Sequence, residues 1–538
     1  MLRKEFYILA CIITFIIGDV HSQSWPKYYG QQNRPEYSKA LIESYDNGFL
    51  ICGDYFSNDY TKRWAWIIKT DINGNIIWDK ILENSLEYIN PNSIATTHDG
   101  GFVLCGNVTL IENVINPLIA KFNACGEKEW CKVFTGSQTA LPSARDIKVT
   151  DSGEIVVLLN QFGSYPSETL ILFKLSASGE VLWQQAFATT YNHPNSHMKF
   201  GQSLMITSND KYLMSGYGYW RDPWNPQGVF AIRHFFAMAD SDGNEEWVLP
   251  FGLNDTILGK ALDVIEINDT LFMGIGAFID YDATKPSFLF FNNDGQELMF
   301  RYFENHQIDS GFYAGAFNKV KLLDSIVFAG GSFSFNPNHQ VIVDCILNLD
   351  IDELTVEPAI IKLSNNNLYP YFNGVSHDNK LLSSSTYRHS STNYDIFLAK
   401  LNLNLEYDTA YTGNLTYDSL CIPGPPQSGF IYLNDCDIVL GTEMPTAADY
   451  RARINTIPIT IYPNPAKDHI TFALENTEHH RNIEMRCFNL LGVQQHQTKI
   501  LRGQQQASAN VSAWPPGMYV VVVYSDGRSV GRGKFVVQ

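Results

Sequence analysis

The densest run of side chains able to grip a ligand is Tyr217-Gly218-Tyr219-Trp220-Arg221-Asp222-Pro223-Trp224-Asn225-Pro226. Flat aromatic rings with polar neighbours suit a sugar, whose C–H face packs on a ring while its hydroxyls bond outward. The same residues have a plainer use, with Trp220 and Trp224 capping an oversized loop against the structure beneath. Tyr191, His193, His197 and Lys199 lie upstream, and Asp54, Tyr55, Asp59 and Tyr60 form a smaller group of similar chemistry. Tyr217, Tyr219, Trp220, Arg221, Asp222 and Trp224 are the candidate ligand-binding residues, for an extracellular glycan or protein.

Catalysis on a glycan demands more. A glycosidase sets two carboxylates about 5–9 Å apart across the sugar. Asp54, Asp59, Glu112, Asp146, Asp222 and Asp263 are the acids that a fold can bring together for this, and linear spacing does not show whether it does. There is no Gly-x-Ser-x-Gly elbow, His-Glu-x-x-His helix or phosphate loop. His193 and His197 are four apart in a Pro/Asn-rich stretch, not on a helix, so no metal or cofactor is expected. No catalytic residue is nominated. The favoured reading is a non-catalytic binding or adhesion module; the alternative is a secreted polysaccharide hydrolase or lyase.

These side chains sit on a repeat. Trp78, Trp130 and Trp183 are 52 and 53 residues apart, each four residues after a glycine (Gly74, Gly126, Gly179). Trp247 follows Gly243 after a longer interval, and the next copy keeps Gly295 with Met299 in the tryptophan's place. The clearest copy runs Ser93-Ile94-Ala95-Thr96-Thr97, a His98-Asp99-Gly100 turn, Gly101-Phe102-Val103-Leu104-Cys105-Gly106, then Leu118-Ile119-Ala120-Lys121-Phe122, Gly126 and Trp130. Short apolar runs between Asp/Asn/Gly turns are strand signals, so each copy reads as four antiparallel strands. Two degenerate copies, around Val327-Phe328-Ala329-Gly330 and Leu381-Leu382, bring the number to seven.

A four-stranded sheet of this size cannot bury both faces alone. A period near 52 is too short for an immunoglobulin-like array and fits sheets packed radially about an axis. The prediction is an all-β chain: a seven-bladed β-propeller over 23–415, a linker over 416–456, and a small antiparallel β-sandwich of immunoglobulin-like type over 457–538. Each repeat tryptophan is expected to wedge between neighbouring blades, contributing about 4–6 kcal/mol gross through buried area. Trp25-Pro26-Lys27-Tyr28-Tyr29 has the look of a fourth strand with no partners before it, so it is expected to complete the last blade. Glu406 to Tyr411 is a rival for that place. Tight turns then share one face of the ring, and the variable connections carrying the candidate residues share the other, the usual binding face of a rigid scaffold.

Charge and cysteine set the surroundings. The 538 residues carry a formal charge of −18, which argues against nucleic acid as partner. By count, 457–538 is +3 and 23–456 is −21, so an acidic body precedes a mildly basic end. Arg3 and Lys4 precede the apolar run Phe6 to Ile17, with Val20 and Ser22 suitably small for cleavage between Ser22 and Gln23. Twelve apolar residues are too few to cross a bilayer, so residues 1–22 read as a signal peptide and no transmembrane segment is expected after its removal. Cys52 and Cys105 occupy equivalent places in adjacent copies and read as buried thiols. Cys421 and Cys436 bracket a short loop, and a disulfide between them is expected, worth about 3 kcal/mol by loop entropy.

Two resemblances follow. The Asp-x-Gly-Gly-Phe…Cys-Gly…Lys-x-x-x-x-Gly-x-x-x-Trp pattern resembles propeller repeats of exported bacterial proteins and the tryptophan-docking repeat of quinoproteins. It departs from the sialidase Asp-box, since three residues separate Gly74 from Trp78. The likeness implies architecture, not activity. At the other end stand Tyr462-Pro463-Asn464-Pro465, Gly517-Met518-Tyr519 and the terminal Lys534-Phe535-Val536-Val537-Gln538. Together these closely resemble the type A C-terminal sorting domain of the type IX secretion system. The resemblance implies a β-sandwich with Pro463, Asn464, Pro465, Gly517, Tyr519 and Lys534 as its signature. It also implies the secretion machinery as partner, and a body released or held at the cell surface.

Overall fold

The computed structural model describes residues 25–538 other than 58, 84–87, 112–113, 136–139, 164–168, 188–195, 222–229, 252–257, 281–282, 304–313, 324–325, 337–338, 365–366, 422–427, 441–458, 475–482, 490–492, 502–503 and 526–527. The expected signal peptide and its Ser22/Gln23 cleavage point lie outside them. Every regular element described is a strand. The chain divides into two compact units, the larger reaching Thr442 and the smaller spanning Glu443–Gln538 with a short insert from 165–169.

In the larger unit, seven sheets follow one another along the chain. Sheet 1 spans 36–83, sheet 2 89–135, sheet 3 140–187, sheet 4 196–250, sheet 5 258–302, sheet 6 314–364 and sheet 7 367–401. Sheets 1–6 each run four antiparallel strands in sequence order. Their first strands are Glu36–Glu43, Ile89–Thr96, Ala140–Val149, Ser196–Ile206, Leu258–Asn268 and Ala314–Leu323, with Asn367–Val375 in sheet 7. Each first strand touches the next, and that of sheet 7 touches that of sheet 1, so the order closes on itself. The turns follow one chemistry: in sheet 1, Asp71 Oδ1 accepts from the Asn73 and Asn75 amides, and Asn123, Asp240, Asn292 and Asn402 repeat this cap.

Closure uses the N-terminal segment. Lys27–Tyr29 pairs antiparallel with Tyr394–Leu401, placing Tyr28 opposite Phe397, and is the fourth strand of sheet 7. The rival segment from Glu406 makes only a single bridge, Leu401 with Tyr407. At this seam Glu36 is wholly buried, and neither carboxyl oxygen has a hydrogen-bond partner. Burial pushes its carboxyl up to about 8, with the Asp395 charge adding to the rise and Arg34 opposing it.

The repeat tryptophans lock the rim. A methyl group on Gly126 would meet the Trp78 ring at 2.6 Å, and Gly126 adopts a φ of 71° in its turn, so two constraints demand glycine there. The contact recurs one sheet on: Trp130 lies against Gly179, Trp183 against Gly243 and Trp247 against Gly295. Trp25 lies against Gly74 in the same way, across the seam. Trp247 also donates its indole N–H to the Asn293 carbonyl at 2.8 Å. The expected wedge is therefore a tryptophan seated on the neighbouring sheet's turn glycine.

The segment expected as a linker begins as a strap. Gly429–Tyr432 adds parallel to Ile76–Glu83 of sheet 1, and Asp437–Leu440 adds parallel to Lys128–Thr135 of sheet 2. Both cover strand edges that would otherwise be open. The expected Cys421–Cys436 disulfide is not formed: Cys421 pairs with Cys125, and Cys436 with Cys131. The extended strand between the two cysteines carries them to different points of sheet 2, a turn and a strand. Lys128 with Asp435 and Lys132 with Asp437 add ion pairs beside the second bridge. Cys52 and Cys105 are buried free thiols, as are Cys345 and Cys487.

The smaller unit packs two antiparallel sheets on one core. Ile459–Tyr462, His469–Leu474 and Gln506–Asn510 form one; Gln494–Ile500, Ile483–Asn489, Gly517–Ser525 and Arg528–Val537 form the other. Phe472, Met485, Val521 and Phe535 are fully or almost fully buried between them. The signature residues knit this unit together. Asn464, between Pro463 and Pro465, accepts from the Val536 amide at 2.9 Å. Gly517 opens a strand, and Tyr519 donates to the Pro515 carbonyl at 2.6 Å. Lys534 is exposed on the last strand.

Candidate functional site

The first strand of each of sheets 1–6 carries a β-bulge at the same place. Pairing skips Lys39, Asn92, Arg145, Gln202, Leu262 and Asn318 in turn. An extra residue bends the strand and turns a side chain out of the regular alternation. All six skipped residues line one cavity of about 620 Å³, bounded by the first strands of six successive sheets. Repetition of one local irregularity has built a site.

The acids after two of these bulges tie neighbouring sheets together. Asp146 Oδ1 accepts from Ser93 Oγ of sheet 2 at 2.6 Å and from Lys148 Nζ at 2.7 Å, and Oδ2 accepts from the Leu204 amide of sheet 4 at 2.8 Å. Asp263 repeats the arrangement two sheets on, accepting from Ser203 Oγ at 2.5 Å and from the Val320 amide of sheet 6 at 3.1 Å. Burial would raise the Asp146 carboxyl, but Lys148, Lys319 and the Ser93 hydroxyl outweigh it and hold the group down at about 2. Asp263 also has Lys319 Nζ at 3.7 Å.

Positive charge is in excess. Lys39, Arg145, Lys148, Lys319 and Lys321 line the cavity against Asp146 and Asp263 only. Lys39 lies 3.4 Å from Asp54, but Arg63 shares that carboxylate, so the trio keeps one net positive charge. Arg145 Nε has no hydrogen-bond partner, and no carboxylate among the described residues pairs with Arg145 or Lys321. Burial lowers the Arg145 pKa, opposed by the Tyr217 phenol. Lys321 lines the cavity with its side chain exposed to solvent. Asn318 adds a buried Oδ1 without a partner.

Among the expected ligand residues, Tyr217 lies in the strand Tyr212–Arg221, its ring stacked on Phe200 at 4.9 Å with Lys260 Nζ 4.7 Å above it. Tyr219, Trp220 and Arg221 continue that strand and pair with Ile232, Ala231 and Phe230, so the expected long loop is a hairpin over much of its length. Asp222 and Trp224 lie outside the described residues, as do Glu112 and His193. Of the candidate acids, Asp146 and Asp263 meet at the cavity. Asp59 instead caps a local turn, with Ser57 and Thr61 hydrogen bonds holding it at about 2. No group of three or more His, Cys, Asp or Glu among the described residues could hold a metal ion.

Sequence reasoning missed Lys39, Arg145, Lys148, Asn318, Lys319 and Lys321. A signal existed in the quartets Ser38-Lys39-Ala40-Leu41, Pro91-Asn92-Ser93-Ile94, Ala144-Arg145-Asp146-Ile147, Gly201-Gln202-Ser203-Leu204, Ala261-Leu262-Asp263-Val264 and Phe317-Asn318-Lys319-Val320. Each has a variable residue, then Ser, Asp, Ala or Lys, then a branched aliphatic. Search for turns and tryptophans alone passes over it.

No curated protein matches the sequence. Among solved structures, an ulvan lyase, a polysaccharide lyase, is similar at 8% identity and a TM-score of 0.46, over 70% of this chain and 96% of that one. A protein of unknown function from Dyadobacter fermentans is similar at 11% identity and a TM-score of 0.40, over 57% and 92%. The β-propeller domain of the Trilobed protease from Pyrococcus furiosus is similar at 12% identity and a TM-score of 0.38, over 70% and 99%. No helix among the described residues is long and apolar enough to cross a membrane. Residues 460–538 match the secretion system C-terminal sorting domain, which marks the protein as secreted or held at the outer cell surface by way of the type IX machinery.

Proposed function

We propose that the chain is an exported seven-bladed β-propeller that acts as a non-catalytic binding module, with the axial cavity as its ligand seat. On this reading residues 1–22 are a signal peptide cut after Ser22, and 457–538 form an immunoglobulin-like sorting sandwich. The ligand is an extracellular glycan. Tyr217, within electrostatic range of Arg145, and Tyr219, Trp220, Arg221, Asp222 and Trp224 are the further residues proposed to contact it.

One observation carries this reading: both carboxylates on the cavity wall are engaged in holding neighbouring sheets together. A general acid needs a proton near neutral pH, and Asp146, held at about 2, has none to give. Asp263 is committed to a hydroxyl, a backbone amide and a lysine. The test is a glycan array run beside a reducing-sugar and unsaturated-uronate assay on the same glycans. Retention without product is expected. Product release would make the protein a polysaccharide hydrolase or lyase instead.

A further inference from the structure

The charge on the cavity wall opposes the charge on the molecule. A body of −21 over 23–456 surrounds a cavity where five basic side chains face two carboxylates. Both carboxylates already have partners that fix them to the ring: Ser93, Lys148 and the Leu204 amide for Asp146, and Ser203, Lys319 and the Val320 amide for Asp263. Arg145 and Lys321 remain without a counter-charge among the described residues. They stand on the first strands of sheets 3 and 6, so they reach the cavity from different sides of the closed order.

An unpaired guanidinium half-buried in a polar cavity is costly, since Arg145 loses hydration without gaining a partner, and Lys321 adds an exposed ammonium on the same wall. A structural role alone would be met more cheaply by leucine, as at Leu262 on the same ring of bulges. Guanidinium forks and ammonium points both recognise carboxylate or sulfate oxygens through charge-assisted hydrogen bonds. Asn92, Gln202 and Asn318 supply neutral polar groups around the same ring, the Asn318 Oδ1 free to accept from a hydroxyl. A ligand matched to this wall carries at least two acidic groups together with hydroxyls. At about 620 Å³ the space holds two or three sugar rings.

We infer that the axial cavity binds an acidic saccharide, bearing carboxylate or sulfate groups, through Arg145 and Lys321. This rests on the binding reading above and names its ligand class. The acidic exterior then acts as a filter: the anion is repelled from the flanks and attracted only at the axis, so binding weakens with salt less steeply than at an exposed basic patch.

The experiment is calorimetric titration of the secreted protein with four probes: a trigalacturonate, a sulfated carrageenan trisaccharide, a neutral cellotriose and sodium sulfate. At least one acidic saccharide is expected to bind about tenfold or more tighter than cellotriose. Lys321→Gln and Arg145→Gln are each expected to weaken it about tenfold, with unchanged melting for the first. Lys321→Gln keeps the test decisive if Arg145→Gln fails to fold. Equal binding of cellotriose overturns the acidic class while leaving the binding reading intact. Sodium sulfate binding as tightly as either acidic saccharide overturns the saccharide and leaves a simple anion site. Absence of binding by every probe overturns the inference, and the glycan array then decides the binding reading separately.

Discussion

The rim and the axis of the larger unit solve the same problem by opposite chemistry. At the rim, neighbouring sheets are joined by an aromatic ring seated on a turn glycine, an apolar contact repeated from Trp25 to Trp247. At the axis they are joined by carboxylates that accept from a serine of the sheet before and an amide of the sheet after. The apolar contact is non-directional and insensitive to pH and salt. The polar one is directional, depends on ionisation and leaves charge over. The inner ring is left able to carry ligand chemistry.

The comparison is most severely tested at the seam. Removing residues 25–30 strips Trp25 and Tyr29 from the core, about 8–12 kcal/mol of gross burial before returned entropy. A large fall in melting temperature is expected by calorimetry; an unchanged melt would mean the ring does not depend on that strand. Trp78→Ala opens a hole between sheets 1 and 2 and is expected to cost about 3–5 kcal/mol in chemical denaturation.

At the axis, Asp146→Ala leaves Ser93, Lys148 and the Leu204 amide without an acceptor and is expected to cost about 3 kcal/mol. Because its folded pKa is depressed, Asp146 stabilises the wild type fully above about pH 4 and loses that contribution as pH falls through about 2. A melt of wild type and variant across that range should converge at the acid end.

Glu36 has the opposite sign. Its folded carboxyl is held at about 8, above the ordinary value of 4.5, so its penalty grows as pH rises between those values and is constant beyond. Glu36→Gln is expected to stabilise the protein by about 2 kcal/mol at pH 9 and to gain nothing at pH 4. The smallest effect belongs to Lys321→Gln, expected within about 0.5 kcal/mol of wild type, since that side chain has no partner to lose. A destabilisation as large as that of Trp78→Ala would erase the distinction between rim and axis.

The rim was legible because its parts are rare residues at fixed intervals. Tryptophan after a turn glycine stands out in a chain with ten tryptophans, and the Lys27–Tyr29 strand was readable because Trp25 keeps the same interval. The axis was obscured for a physical reason. A bulge shifts pairing by one residue without changing hydrophobic alternation enough to notice, and its side chain is free to vary from Lys39 to Leu262. Two of the acids nominated from the sequence, Asp146 and Asp263, do reach the cavity, while Asp59 stays on a surface turn. The pairing of Cys421 and Cys436 was misjudged because a short loop between cysteines looks self-contained, whereas a strand laid on a sheet edge carries its ends apart.

The strap bears on mechanics. Tension arriving from the C-terminal side first loads the short Asp437–Leu440 ladder, then stops at Cys436 and passes through sulfur to Cys131 before the Gly429–Tyr432 strand is loaded. Cys421 and Cys125 form a second stop behind it. Strands peel apart one bond at a time when pulled from an end, but here the pull enters sheet 2 midway along a strand, through covalent links. A pull on that end would therefore strip the Asp437–Leu440 strand before it loaded the sheets behind the two disulfides.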